Sequence, residues 1–280
     1  MPWQWPVGAL LAFALAVLTT PAGVSGAVLL LPIQLSVLHV PSPAVTPTNL
    51  LFNVAATPGG LLRFGREQRL GGPLTRVLIA GTLPGAVAGA ILRVEVFSGS
   101  RSFTVIAALV LLPLGLWLLV GAQNLARRRP EPTTRHRRMT CLLAVIVGII
   151  GGIYGIGGGS ILAPILIALG YSVYEVAPAT LAATFLTSIA GICTYQALQL
   201  THSGAVAPQW VLGAFLGAGG FAGSYCGARL QRRLPERSLR RLLGLIACLV
   251  AARYVQTAFS PSGPVGNTRT ADGATLRPTS

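Results

Sequence analysis

The chain has no lysine, a single aspartate and only five glutamates in 280 residues. Without a lysine there is no Walker-type phosphate loop and no Schiff-base chemistry, since both depend on that amine. An intramembrane protease would need a Ser/His pair or two aspartates at depth. Here His39, His136 and His202 fall in stretches that read as loops, and Asp272 lies in the C-terminal tail. Cys141, Cys193, Cys226 and Cys248 stand singly in apolar segments, without CxxC spacing. They read as small apolar fillers rather than a disulfide framework or a zinc site. No enzyme activity, metal or other cofactor is expected.

Charge is scarce too. Charged residues make up 10% of the chain and hydrophobic ones 52%, with a mean hydropathy of +0.69, against about 25% charged in a typical soluble domain. No charged side chain occurs over 1–62, 102–126, 139–174 or 176–228, and a helix crosses the bilayer with about 20 apolar residues. The composition is that of an all-α polytopic protein of the cytoplasmic membrane. The net charge of +15 comes from arginines clustered in short loops. It signals membrane topology and not a nucleic-acid partner. The apolar run Val7 to Leu18, followed by "PAGVSGA", resembles a signal peptide but lacks a positive n-region, and is read as part of the mature protein.

The abundant residue is glycine, 34 in all. Shifting the chain by 132 residues, the separation of Gly26 and Gly158, aligns "PAGVSGAVLLLPIQL" with "IYGIGGGSILAPILI" and pairs Gly23 with Gly155, Pro32 with Pro164, Thr48 with Thr180 and Gly81 with Gly213. Weak internal repetition of a hydrophobic unit is common among transporters. The chain divides into a first repeat (1–126), an arginine-rich cytoplasmic linker (127–138), a second repeat (139–259) and a disordered tail (260–280). Each repeat holds a glycine-broken element (Val7–Leu38; Met139–Leu169) and three transmembrane helices.

Arginine placement sets the topology. Arg127, Arg128, Arg129, Arg135, Arg137 and Arg138 belong to one loop, and Arg229, Arg232, Arg233, Arg237, Arg240 and Arg241 to another. Both loops should be cytoplasmic, yet three elements separate them, so one of the three must return to the side it entered. The glycine-broken element fits, because its two arms, of about 12 to 16 residues, are too short to cross. Each repeat is thus a re-entrant hairpin plus three crossings, and the second repeat is inverted relative to the first. Arg93 and Arg101 fall in an external loop.

Two such hairpins bring "AGVSGA" and "YGIGGGS" towards the bilayer middle. There irregular backbone is tolerated only when buried in protein or lining a wet cavity. A helix start near Ser25 or Gly159 offers N–H groups and a positive dipole end to an anion, and absent side chains let the ligand approach the backbone. GxxxG spacing elsewhere (Gly148 with Gly152; Gly81, Gly85 and Gly89; Gly219, Gly223 and Gly227) reads as close helix packing. The next helix of each repeat opens with Thr46, Thr48, Asn49 and Asn53, or with Thr180, Thr184, Thr187 and Ser188 along one helical face. Such polar groups either glue helices together or donate to a substrate. The candidate substrate-binding set is Gly23, Ser25, Gly26, Thr48, Asn49, Gly155, Gly157, Gly158, Gly159, Ser160, Thr180 and Thr184. Tyr154 and Gln34 are weaker candidates.

These stretches resemble a known family. "VGIIGGIYGIGGGSILAPIL", followed by "APATLAATFLTSIAGI", looks like the second signature of the TauE/SafE sulfite exporter family of DUF81-type membrane transporters. The resemblance runs over about Val7 to Phe259. It implies repeated halves and movement of sulfite, sulfonates or related organic anions, with Gly155, Gly157, Gly158, Gly159, Pro164 and Thr180 at the signature positions. The first repeat departs from that pattern, with Ser25 and Ala27 at two glycine positions and "PTN" in place of a Gly-Thr or Ala-Thr pair.

The function expected is export of a small anion, with the substrate and the lipid bilayer as partners; a homodimer is compatible with the sequence. A non-transporting membrane scaffold or assembly factor is the alternative. Glu67, Glu95, Glu131 and Glu236 fall in loops and Glu175 starts a helix, leaving no acidic residue in the core for proton coupling. Movement driven by the membrane potential is therefore expected. The topology puts both termini outside. A C-terminal reporter active only in the periplasm should be active, and one active only in the cytoplasm should be silent; the reverse pattern refutes it.

Overall fold

The computed structural model describes residues 3–38, 40–41, 44–67, 70–95, 112, 116, 119, 134–201 and 207–259, and every regular element among them is helical. In chain order these are α1 (Gln4–Thr19), a 3-10 turn (Thr20–Ala22), α2 (Ala27–Ser36), α3 (Val45–Arg66), α4 (Pro73–Glu95), α5 (Thr134–Tyr154), α6 (Gly158–Ala168), α7 (Val173–Thr201), α8 (Trp210–Gln231) and α9 (Glu236–Phe259). The helix expected over 103–126 lies almost wholly outside the described residues, as do the tail from 260, His39 and the loop around His202.

Five of the described helical stretches are long and apolar enough to cross a membrane: Gln4–Ala22, Pro73–Glu95, Arg137–Tyr154, Val173–Leu200 and Trp210–Gln231. This corrects the expectation of two short arms in each glycine-broken element. The leading arms are full length, and only the returning arms, α2 with 10 residues and α6 with 11, are short. Apolar runs understate these helices because a helix continues through polar and arginine-bearing turns. α5 starts at Thr134, inside the arginine cluster, and α4 runs past Leu92 to Glu95.

Both broken elements fold back on themselves. Leu38, just beyond α2, lies beside Gly8 near the start of α1, and Tyr171, just beyond α6, is hydrogen-bonded to Thr140 near the start of α5. In each, the chain reverses at glycines with positive φ: Gly23 at 79°, and Gly155 and Gly157 at 68° and 71°. L-residues with a Cβ rarely adopt this conformation.

Glycine ridges bind the first half of the chain to the second. On α8, Gly219, Gly223 and Gly227 meet the backbone of Ala9, Phe13 and Val17 on α1, turn for turn, so the two helices run parallel. On α4, Gly81, Gly85 and Gly89 meet Cys141, Val145 and Ile149 of α5, again in parallel, and Gly148 and Gly152 return the contact against Thr82 and Ala86. The opposite face of α8 lies on α3, with Gly213 at Leu51, Gly217 at Ala55, and Phe221 at Gly59. Four-residue spacing puts these glycines on one face, and their missing side chains let the helix axes approach closely.

A methyl group at Gly89 would overlap the Ile149 carbonyl, and one at Gly223 the Phe13 carbonyl, whereas Gly72 has nothing within 4 Å. Gly89→Ala and Gly223→Ala should each destabilise the protein by about 1–3 kcal/mol, the usual cost of overpacking. Gly72→Ala should be neutral. Thermal unfolding in detergent tests this, and equal midpoints for all three refute the packing role.

Candidate functional site

The first turn is built from Thr20–Ala22 and Gly23. The Gly23 N–H donates to the Thr20 carbonyl (2.9 Å) and the Val24 N–H to that of Thr19 (3.2 Å). Ser25 Oγ then accepts the Ala27 N–H (3.2 Å) at the start of α2. The second turn uses left-handed Gly155 and Gly157, and α6 begins at Gly158.

Neither turn has room for side chains. A Cβ on Gly23 would come within 2.6 Å of Ala177 Cα and 2.7 Å of Thr180 Oγ1, and one on Gly157 within 2.5 Å of Thr184 Cγ2. One on Gly155 would overlap the Thr46 carbonyl, and one on Gly159 that of Thr180. The glycines are therefore required by close approach to α3 and α7 as well as by backbone conformation.

The two turns overlap side by side. Along α7, the first turn lies at Ala177 and Thr180, and the second begins beyond it, at Thr184. They touch where the Ser25 N–H donates to Ser160 Oγ (3.1 Å), whose hydroxyl in turn donates to the Ile156 carbonyl (3.0 Å).

Side chains from the opposite repeat hold each turn. Thr180 Oγ1 donates to the Gly23 carbonyl (2.8 Å), with the Val176 carbonyl also in reach (2.9 Å). Reciprocally, Asn53 Nδ2 donates to the Gly155 carbonyl (3.4 Å), while its Oδ1 accepts the Ser25 hydroxyl. Gln231 Nε2, from the end of α8, donates to the Pro21 carbonyl (2.7 Å). Asn49 sits one turn before Asn53. It donates to the Ala27 carbonyl (3.0 Å) and accepts from Gln34 Nε2 (3.0 Å).

The structure thus gathers Gly23, Ser25, Gly155, Gly157, Gly159, Ser160, Thr180 and Thr184 around one crossing, with Asn49 beside it. Gly26 is set against Ala16 and the Phe52 ring, and Gly158 against Thr82 and Gly148. Thr48 stands apart. Its hydroxyl donates to the Ala44 carbonyl (2.7 Å) and accepts the Gln209 N–H (2.9 Å) ahead of α8, so the residue paired with Thr180 in sequence does not share its role in space. The surrounding donors are hydroxyls, amides and backbone N–H groups. Such a set suits an acceptor-only ligand.

Sequence reasoning missed the burial of Arg93 and the pairing of Glu67. Arg93, expected in an external loop, lies on the last turns of α4 and is only 3% exposed. It is flanked by Tyr154 and Tyr195, and the Tyr195 hydroxyl donates to the Gly152 carbonyl (3.2 Å). Glu67, just beyond α3, forms ion pairs with Arg63 (2.9 Å) and with the exposed Arg232 beyond α8 (3.6 Å), while Arg66 donates to the Tyr225 hydroxyl (3.1 Å) at the surface. Hydropathy places Arg93 just outside the apolar run; only the extension of α4 brings it in.

Among the described residues no group of histidine, cysteine or acidic side chains could hold a metal ion, and the four cysteines are free. No curated protein and no solved structure matches the chain. The profile of the family described as Sulfite exporter TauE/SafE matches residues 8–254. That match covers both folded-back elements, the glycine ridges and the crossing between them, and so the chain belongs to the Sulfite exporter TauE/SafE family.

Proposed function

We propose that this protein exports a small anion of the sulfite or organosulfonate class across the cytoplasmic membrane. Two inverted repeats each insert a re-entrant hairpin from opposite faces, and the substrate is held where the hairpin tips cross. The observation that carries this reading is the reciprocal fastening of the tips. Each turn carbonyl is bonded by a side chain of the other repeat, Gly23 by Thr180 and Gly155 by Asn53, and the Ser25–Ser160 hydrogen bond joins the turns directly. A substrate oxyanion competes for these donors, so its binding exchanges tip-to-tip bonds for tip-to-substrate bonds and loosens one repeat from the other. A ligand shifts such an equilibrium by its differential affinity for the two states.

Potential-driven movement needs no titrating acid at the tips. An exported anion crosses a negative-inside membrane downhill, gaining about 2.3 kcal/mol per charge per 100 mV.

Purified protein in liposomes should carry sulfite, and sulfate, thiosulfate, taurine and short sulfonates will rank its selectivity. Thr180→Val strips the Gly23 carbonyl of a donor, and Gly158→Leu drives a side chain into Thr82; both should lower flux by at least about tenfold, as the loss of a single buried hydrogen bond allows. Parental flux in both variants would move the site elsewhere. No flux for any of these anions in the parent would favour a scaffold role. Imposing a potential, negative on the side from which the anion leaves, should accelerate flux without a proton gradient; a strict proton requirement contradicts potential-driven movement.

A further inference from the structure

On α7, Thr180 gives its hydroxyl to the Gly23 carbonyl (2.8 Å), while Thr187 and Thr194 return theirs to the carbonyl four residues earlier, at 2.7 and 2.8 Å. This is the ordinary arrangement for a hydroxyl within a helix. Thr184 and Ser188, on the same helix and fully buried, do not: neither hydroxyl has a hydrogen-bond partner among the described residues. Two buried hydroxyls one helical turn apart, both without a partner, are not explained by packing, since buried polar groups are normally bonded.

Their neighbours indicate what they face. Thr184 is pressed against the second glycine turn, 2.5 Å from where a Cβ on Gly159 would stand. Ser188 follows at i+4, and Tyr195 at i+11, on the same helical face. Eleven residues of helix advance about 16 Å. At the far end Tyr195 borders Arg93, which is 3% exposed. Guanidinium stays charged under all ordinary conditions and matches oxyanions in a bidentate fork, and burying a charge costs free energy that a bound oxyanion would offset.

The stripe is confined to one repeat. At the positions 132 residues earlier stand Phe52 and Ala56, both apolar and buried, and both packed against Gly220 of α8. The polar character of Thr184 and Ser188 is therefore not imposed by the shared fold.

We infer that Thr184, Ser188 and Arg93 line a route for a small oxyanion such as sulfite, running along α7 from the second glycine turn to a cationic end at Arg93. This rests on the transport reading above and adds to it a direction and a terminal anchor. The hydroxyls donate to the anion in passing, and the Arg93 guanidinium draws it away from the tips.

The test measures sulfite flux in liposomes together with thermal unfolding in detergent. Ser188→Ala and Thr184→Val remove hydroxyls that bond nothing in the protein, so the unfolding midpoint should hold or rise. The sulfite KM should nonetheless increase about tenfold or more, the worth of one hydrogen bond to a charged group. Arg93→Gln should abolish flux, and Arg93→Lys, which keeps the charge but not the fork, should restore part of it. A sulfite KM within about twofold of the parent's in Ser188→Ala and Thr184→Val, less than half a kcal/mol by the same conversion, overturns the route while leaving sulfite transport standing. That outcome does not depend on whether the Arg93 variants fold. A parent that carries no sulfite overturns both readings.

Discussion

Buried backbone has no water to bond, so every break in a buried helix must be satisfied by protein. The rest of this molecule follows from how its two breaks meet that demand. Each turn has too few local partners, and the missing donors come from a distance: Thr180 reaches back to Gly23, Asn53 reaches forward to Gly155, and Gln231 caps Pro21 from the end of α8. Because side chains from one half of the chain serve the turn of the other, neither turn is complete until both halves are in place. The overlap of the tips is the geometric outcome of this exchange.

The glycine ridges make such reach possible. Asparagine, threonine and serine side chains are short, and they bond across helices only when the axes are close. Close contact along α1 with α8 and along α4 with α5, backbone against glycine, brings α3 and α7 inward to the turns. Dispersion over these faces, with no large side chains between, replaces the hydrophobic drive that lipid does not supply between helices.

Much of this is legible in the residues. Glycine density marks both reversals, the 132-residue echo pairs them, and GxxxG spacing marks the ridges where helices do touch. What escapes has identifiable causes. Counting apolar residues ends α4 at Leu92, so Arg93 reads as a loop residue, although one further turn of helix carries it into the core. Counting also shortens α1 and α5, because polar turns at the end of a helix extend it without adding hydropathy. Thr48 and Thr180 align in the repeat, yet Thr48 turns to Gln209 and Asn53 does for Gly155 what Thr180 does for Gly23. A shift of five residues along α3 is enough to change which side chain reaches the turn, and no alignment reveals it. That Thr184 and Ser188 lack partners where Thr187 has one is a matter of rotamer, which sequence does not encode.

The parallel pairing of α1 with α8 has a bearing on how the protein is made. α1 emerges from the ribosome before α8, with a carbonyl ridge at Ala9, Phe13 and Val17 whose matching glycines lie on α8. Until α8 is synthesised, that face has only lipid or the insertion machinery to lean on, and the Pro21 carbonyl waits for Gln231. Biogenesis of this membrane protein therefore cannot proceed repeat by repeat. α1 must wait for α8 to find its place, and a chain truncated before α8 would leave the first turn uncapped, an obvious target for membrane quality control.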